Sequence, residues 1–229
     1  MSARPASGGF GAGFRAMTPL WIGVVPFGAV YAVTARAAGL GLVETQLMSL
    51  LLFAGGAQFA AVGLIAAGAG PWTLVSTTLL INLRHLLYGV VVAATTELRG
   101  VRRAVAAHLL TDEAFGVHVA HGRGRPAFLI GAGLSLFVVW NAATLAGALL
   151  ARSLPDPYAI GLDIVFPLAF LALLVPLVRD RRSLAVALTS GLAAWGLGVV
   201  LEPGAALLAA TALAAGIGAA PLAGSREAP

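Results

Sequence analysis

PWTLVSTTLLINLRHLLYGVVVAATTE, residues 71–97, is the stretch that decides how this chain folds. From Pro71 to Thr96 its only permanent charge is Arg84, and the uncharged run leading up to that arginine reaches back to Thr45. About 20 apolar residues cross the hydrocarbon of a bilayer, so a run of this length has no natural solvent except lipid. Ala16–Ala35, Pro126–Ala151, Ser183–Leu201 and Pro203–Ser225 are uncharged in the same way. Five such runs mean many spans rather than one anchor.

Composition agrees. The 229 residues are 59% hydrophobic and 10% charged, with a mean hydropathy of +0.95, whereas about a quarter of a soluble domain is charged. The pI near 11.0 invites a nucleic-acid reading. Yet every basic residue is Arg, none is Lys, and they stand singly or in small groups between apolar runs. Arginines placed this way mark cytoplasmic loops, so no nucleic-acid partner is expected. With no Cys, disulfides, thiolate metal sites and Cys nucleophiles are excluded. Ala35-Arg36-Ala37 looks like a cleavage site, but the apolar stretch before it is too long for a signal peptide and reads as a retained first span.

Eight apolar segments follow: 17–36, 44–67, 71–97, 104–121, 126–151, 158–178, 183–201 and 204–223. Each must satisfy its own backbone in lipid, so each is expected to be helical. The expected fold is an all-α, polytopic integral membrane bundle with six to eight transmembrane segments, some broken or re-entrant, in the cell membrane. A single transporter domain over 16–223 is flanked by tails at 1–15 and 224–229. Two segments resist reading as simple spans: 44–67 is interrupted by Gly55-Gly56, and 104–121 carries His108, Asp112, Glu113, His118 and His121. If both turn back, six spans remain with both ends in the cytoplasm, and only Arg36 and Arg152 face outside. If both cross, the Arg99–Arg103 cluster moves outside, against the positive-inside bias.

Helix breakers and a charge converge near segment midpoints: Pro26, Gly55-Gly56, Arg84 and Pro167. Transporters build midplane sites from discontinuous helices in this way. Pro26 and Pro167 also hint at two related halves. An arginine at that depth costs about 2.5–3.5 kcal/mol on insertion scales. Asp112, Glu113, Asp163 or a ligand carboxylate would offset the cost, and the alternative is an Arg that only ties helices together. His85, the next residue, either relays protons or makes one hydrogen bond inside the bundle. Asn82 is split between ligand contact and helix–helix bonding.

In FAGGAQFAA (Phe53–Ala61) the glycines permit a break, and a half-helix starting near Ala57 would aim its positive end at an anion. Gln58 would reach the same ligand, with Pro26, Phe27 and Phe59 against its apolar part; close helix packing is the bland alternative. Asp112 and Glu113 follow Thr111 and are either a proton-binding pair or the acidic first turn of a helix capped by Thr111. Asp163 reads mainly as a boundary residue. Ala212, Gly216 and Ala220 form a small-residue face. No metallopeptidase, Walker or nucleophile-elbow motif is present, so no enzyme activity, catalytic residue, cofactor or metal is expected.

PFG (26–28), FAGGAQFA (53–60), NLRHLLYG (82–89), HLLTDEAF (108–115), WNAATLAG (140–147) and GLDIVFPLAFLALL (161–174) resemble, in this order, the AzlC-type branched-chain amino acid permeases. The resemblance covers about Phe14–Leu174. It implies export of Leu, Ile, Val and also Met, driven by an ion gradient, with a small AzlD-type membrane subunit as partner. It supplies no set of substrate-contacting residues. A passive channel with Arg84 as selectivity charge is the alternative function, and an intramembrane metalloenzyme is a distant third.

Overall fold

The computed structural model describes residues 9–153, 171, 174–175, 178–201 and 203–219, and among these every regular element is a helix. They are α1 (Phe10–Ala16), a 3-10 turn (Thr18–Leu20), α2 (Trp21–Ala37), α3 (Leu42–Leu51), α4 (Gly55–Ala66), α5 (Pro71–Asn82) and α6 (Arg84–Thr95). There follow α7 (Gly100–His108), α8 (Asp112–Val117) with a π-helical turn (His118–Gly122), α9 (Pro126–Leu150), α10 (Arg181–Gly198) and α11 (Pro203–Ala219). Among the described residues three helical stretches are long and apolar enough to cross a membrane: Phe10–Ala37, Pro71–Thr95 and Pro126–Ser153.

α9 is the axis of the fold. Its glycines and those facing it admit backbone where a side chain would otherwise stand. A Cβ on Gly147 would lie 2.5 Å from the Ala29 carbonyl oxygen, and one on Gly28 would lie 2.9 Å from the Ala143 Cβ. In lipid, which drives no hydrophobic association between helices, this closeness is what holds them. From α1 onward the contacts ascend together: Phe10 and Gly13 meet α9 at Phe128–Ala132, Trp21 donates to Ser135 Oγ at 3.1 Å, Gly28 meets Trp140, and Gly147 meets Ala29. The first span and α9 are therefore parallel. Between parallel spans the chain crosses an odd number of times, and α5–α6 is one crossing. The segments on either side of it must then both cross or both turn back.

Contacts decide for turning back. α3 starts at the Ala37 end, where the Tyr31 hydroxyl donates to the Thr45 carbonyl (3.1 Å). It descends past Ser49–Thr144 (3.1 Å) to Phe53, whose ring centroid is 5.1 Å from that of Phe137. The chain reverses over Leu52–Ala54, and α4 climbs again: Gly55 lies under the Trp140 ring, and Phe59 meets Phe27 and Tyr31, centroids 6.2 and 6.0 Å apart. At the other end α7 rises from Gly100 to His108, beside Phe137 (5.6 Å), and Leu109 abuts Gly133. α8 and the π turn then return, through Phe115 stacked on Tyr88 (4.4 Å), to Gly122 against Phe128. Each arm has only 9–12 residues, so at 1.5 Å per residue it reaches about half the hydrocarbon thickness.

Arg15, Arg99, Arg102, Arg103, Arg123 and Arg125 gather at the Phe10 end, against Arg36 and Arg152 at the other. The positive-inside bias places the Phe10 end in the cytoplasm.

Two span-plus-hairpin units emerge in opposite orientation, the first over α1–α4 and the second over α5–α8 with the π turn. The helix starts Gly55 and Asp112, the N-caps Ala54 and Thr111, and the ring-contact residues Tyr31 and Tyr88 are all 57 positions apart (55 to 112, 54 to 111, 31 to 88). Inverted-topology repeats of this sort frame the substrate site in many transporters.

Pro26 does not break its helix, since α2 runs unbroken from Trp21 to Ala37; one missing N–H is tolerated in a continuous turn. The interruption in 71–97 falls at Leu83, and α4 starts at Gly55 rather than near Ala57. α10 and α11 are clamped by Arg182, which donates to the Gly218 carbonyl at 2.7 Å. No described residue lies within 4 Å of a Cβ built on Gly216, so among the described residues the small-residue face makes no close contact there. Pro167, Asp163, Ala220 and most of 158–178 lie outside the described residues, and the span count in that part with them.

Candidate functional site

The two hairpin tips meet between α2, α6 and α9 and enclose a cavity of about 520 Å3, within the usual range for small-molecule sites. α2 and the turn before it contribute Leu20, Gly23, Val24 and Phe27; the first hairpin contributes Phe53–Gly56 and Phe59; α6 contributes Arg84, His85 and Tyr88. Thr111, Asp112 and Glu113 come from the second hairpin, and Leu136 and Trp140 from α9.

Arg84 opens α6 directly after the Leu83 interruption. Its Nη2 lies 3.0 Å from Asp112 Oδ2, and both side chains are nearly two-fifths exposed. Asp112 Oδ1 accepts from the Tyr88 hydroxyl at 2.7 Å, so both oxygens of this carboxylate are engaged. The same guanidinium reaches the first hairpin, because a Cβ on Gly56 would stand 3.5 Å from Nη2. Arg84 Nε is buried without an acceptor among the described residues. Thr111 Oγ1 accepts from the Ala114 N–H (3.3 Å), which makes Asp112 and Glu113 the acidic first turn of a capped helix. Both acids stand in the capped first turn, and of the two Asp112 is the one paired with Arg84 among the described residues.

His85 Nδ1 lies 3.2 Å from the Asn82 carbonyl oxygen, and its ring packs edge-on to Tyr88. Glu113 faces the cavity and has neither an ion pair nor a hydrogen bond among the described residues. Trp140 is nine-tenths buried, stacks on Tyr31 with centroids 6.0 Å apart, and its Nε1–H has no acceptor among these residues.

The expected site residues thus divide. Phe27, Gly55, Gly56, Phe59, Arg84, His85, Asp112 and Glu113 share the cavity. Asn82 instead lines a smaller one of about 210 Å3 between the two tips, with His85 and His108. Pro26 is off the wall, and Gln58 is fully buried beside Tyr31. Asp163 lies outside the described residues. Asn141 bonds a neighbouring helix as expected, accepting from Gln46 at 2.9 Å. Sequence reasoning missed Tyr88 and Trp140 as wall residues. Tyr88 stands four positions after Arg84, the spacing that stacks side chains on one helix face; Trp140 carries no comparable signal. Among the described residues no cluster of three or more His, Asp or Glu is placed to hold a metal ion.

The family profile described as AzlC protein matches residues 19–154, which includes every element of the cavity. An uncharacterized membrane protein of Archaeoglobus fulgidus is 31% identical over 72% of this chain and 74% of its own length. The inner membrane protein YgaZ of Escherichia coli is 27% identical over 80% of this chain and 78% of its own. The branched-chain amino acid transport protein AzlC of Bacillus subtilis is 25% identical over 48% of this chain and 43% of its own. No solved structure matches the chain.

Proposed function

The chain belongs to the AzlC family, and from that premise we propose that it is the large subunit of a secondary transporter that exports branched-chain amino acids, with Met as a further substrate. A relative named as a branched-chain amino acid transport protein supports the substrate class. The observation that carries the reading is the cavity, whose wall combines an arginine and the bare start of α4 with the aromatic rings of Phe27, Phe59 and Trp140. The substrate carboxylate binds at the start of α4 and at Arg84, where backbone N–H groups, the helix dipole and the guanidinium all favour an anion. The aliphatic side chain lies against the rings.

Proton coupling runs through His85 or the Asp112/Glu113 pair. Protonating Asp112 releases Arg84 from its ion pair, so the protonation state of the second hairpin sets how much of the guanidinium the ligand can claim. The hairpins enter from opposite faces, and alternating access would move one and then the other away from the cavity. A small AzlD-type subunit completes the transporter.

The reading is tested in cells loaded with a leucine-containing dipeptide. Deleting this gene together with its neighbouring small-subunit gene is expected to slow leucine efflux, and unchanged efflux would sink the proposal. In vesicles, an imposed pH gradient is expected to drive leucine uptake or release. Leucine flux indifferent to that gradient would assign a facilitator.

A further inference from the structure

The inverted repeat places two equivalent helix starts against one cavity and equips them differently. At α8 the cap is Thr111, and the first two positions are the carboxylates Asp112 and Glu113. At α4 the cap is Ala54, which offers no side chain to the N–H groups, and the first two positions are Gly55 and Gly56. Arg84 spans the two, bonded to Asp112 on one side and adjoining Gly56 on the other. Over Gly55 lies Trp140, nine-tenths buried, with an N–H that has no acceptor among the described residues. The start of α4 is thus an anion seat for which the described residues supply no anion.

The two adjacent acids are not equivalent. Asp112 has one oxygen on Arg84 and the other on Tyr88, so its charge cancels that of the arginine. Glu113 has no partner among the described residues and leaves the cavity one negative charge in excess. A simple carboxylate entering the seat at α4 would be repelled by that charge. A zwitterion brings the cation that answers it.

We propose that Glu113 is the residue that recognises the substrate's α-ammonium group, so that the site takes α-amino acids as zwitterions and rejects the matching carboxylic acids. The substrate carboxylate takes at α4 the place that the Asp112 carboxylate holds at α8. This assignment rests on the amino-acid reading above and sharpens it to one residue.

The test is equilibrium binding to the full chain in lipid nanodiscs, with leucine, 4-methylpentanoate (leucine without its amino group) and leucinamide (leucine without its carboxylate) as probes. The wild type is expected to bind leucine and to bind both analogues at least about tenfold more weakly, as the loss of one charged hydrogen bond implies. Glu113→Gln is expected to weaken leucine by a similar factor while 4-methylpentanoate holds or gains, so the discrimination collapses; Glu113→Asp should recover part of it. Leucine affinity within about twofold of wild type in Glu113→Gln, with discrimination intact, overturns the proposal and leaves amino-acid transport standing. Should that variant fail to fold, the wild type alone decides: equal binding of leucine and 4-methylpentanoate overturns the assignment. Wild type that binds none of leucine, isoleucine, valine or methionine overturns the transport reading itself.

Discussion

Replacing Asp112 by Asn should release the cavity's arginine, and the size of the effect follows from geometry. Unit charges 3.0 Å apart attract by about 5 kcal/mol at an effective dielectric constant near 20. Both side chains are nearly two-fifths exposed to the cavity, so solvent screening reduces this to about 2 kcal/mol. A double-mutant cycle of Asp112→Asn and Arg84→Gln isolates the pair, with stability read from reversible unfolding in detergent micelles. Each single variant should cost about 2 kcal/mol or more, because it leaves one charge unanswered in a mainly apolar wall. The double variant should cost less than the sum of the two by about 2 kcal/mol. The Tyr88 hydroxyl keeps an acceptor in the amide oxygen that the Asp112→Asn change introduces, so its bond contributes little to the difference. Additivity of the two changes to within about 0.5 kcal/mol would refute the reasoning, since Arg84 would then find its main partner elsewhere.

Topology is open to direct labelling because the chain has no native Cys. Leu40→Cys and Ala69→Cys, at the two ends of the first hairpin, should react with an impermeant maleimide from the same outer face, and Leu98→Cys and Arg123→Cys only from the cytoplasm; opposite sidedness of positions 40 and 69 would mean that the hairpin crosses. Gly147→Ala should destabilise by about 1–3 kcal/mol, since the Ala29 backbone on the facing helix cannot yield. Gly216→Ala should be close to neutral, as no described residue stands within 4 Å of the added Cβ; unfolding midpoints compare the two. Asp180 caps α10, and the backbone N–H and hydroxyl of Ser183 hold its carboxyl below the ordinary 3.8. With the folded value depressed, its contribution is fully present above about pH 4 and fades as pH falls through the folded value. Hydrogen exchange at Arg182–Leu184 should accelerate below that point in wild type and show no such step in Asp180→Asn.

Much of the site was legible one residue at a time. Arg84 announces itself because no other charge stands so deep in an apolar run, and Gly55-Gly56 because paired glycines interrupt a helix that lipid otherwise enforces. Thr111-Asp112-Glu113 reads as a capped helix start by residue type alone, and it is one. The inverted repeat was not legible. Along the 57-residue offset few residues coincide, among them Tyr31/Tyr88, Leu52/Leu109 and Ala57/Ala114, and apolar helices of similar composition hide a match that rests on topology. Pro26 misled in the other direction, because proline marks a possible break and the surrounding helix decides whether it is used.

What the sequence determined by itself is the solvent and the secondary structure: lipid leaves the backbone no alternative to helices, and the arginine count on the loops orients them. Whether 42–66 and 100–122 cross or turn back, and which carboxylate answers Arg84, only the tertiary structure decided. The physical reason is that both depend on contacts between residues far apart in the chain. Phe59 belongs beside Tyr31, and Asp112 beside Arg84, through close packing on α9 that no local pattern encodes.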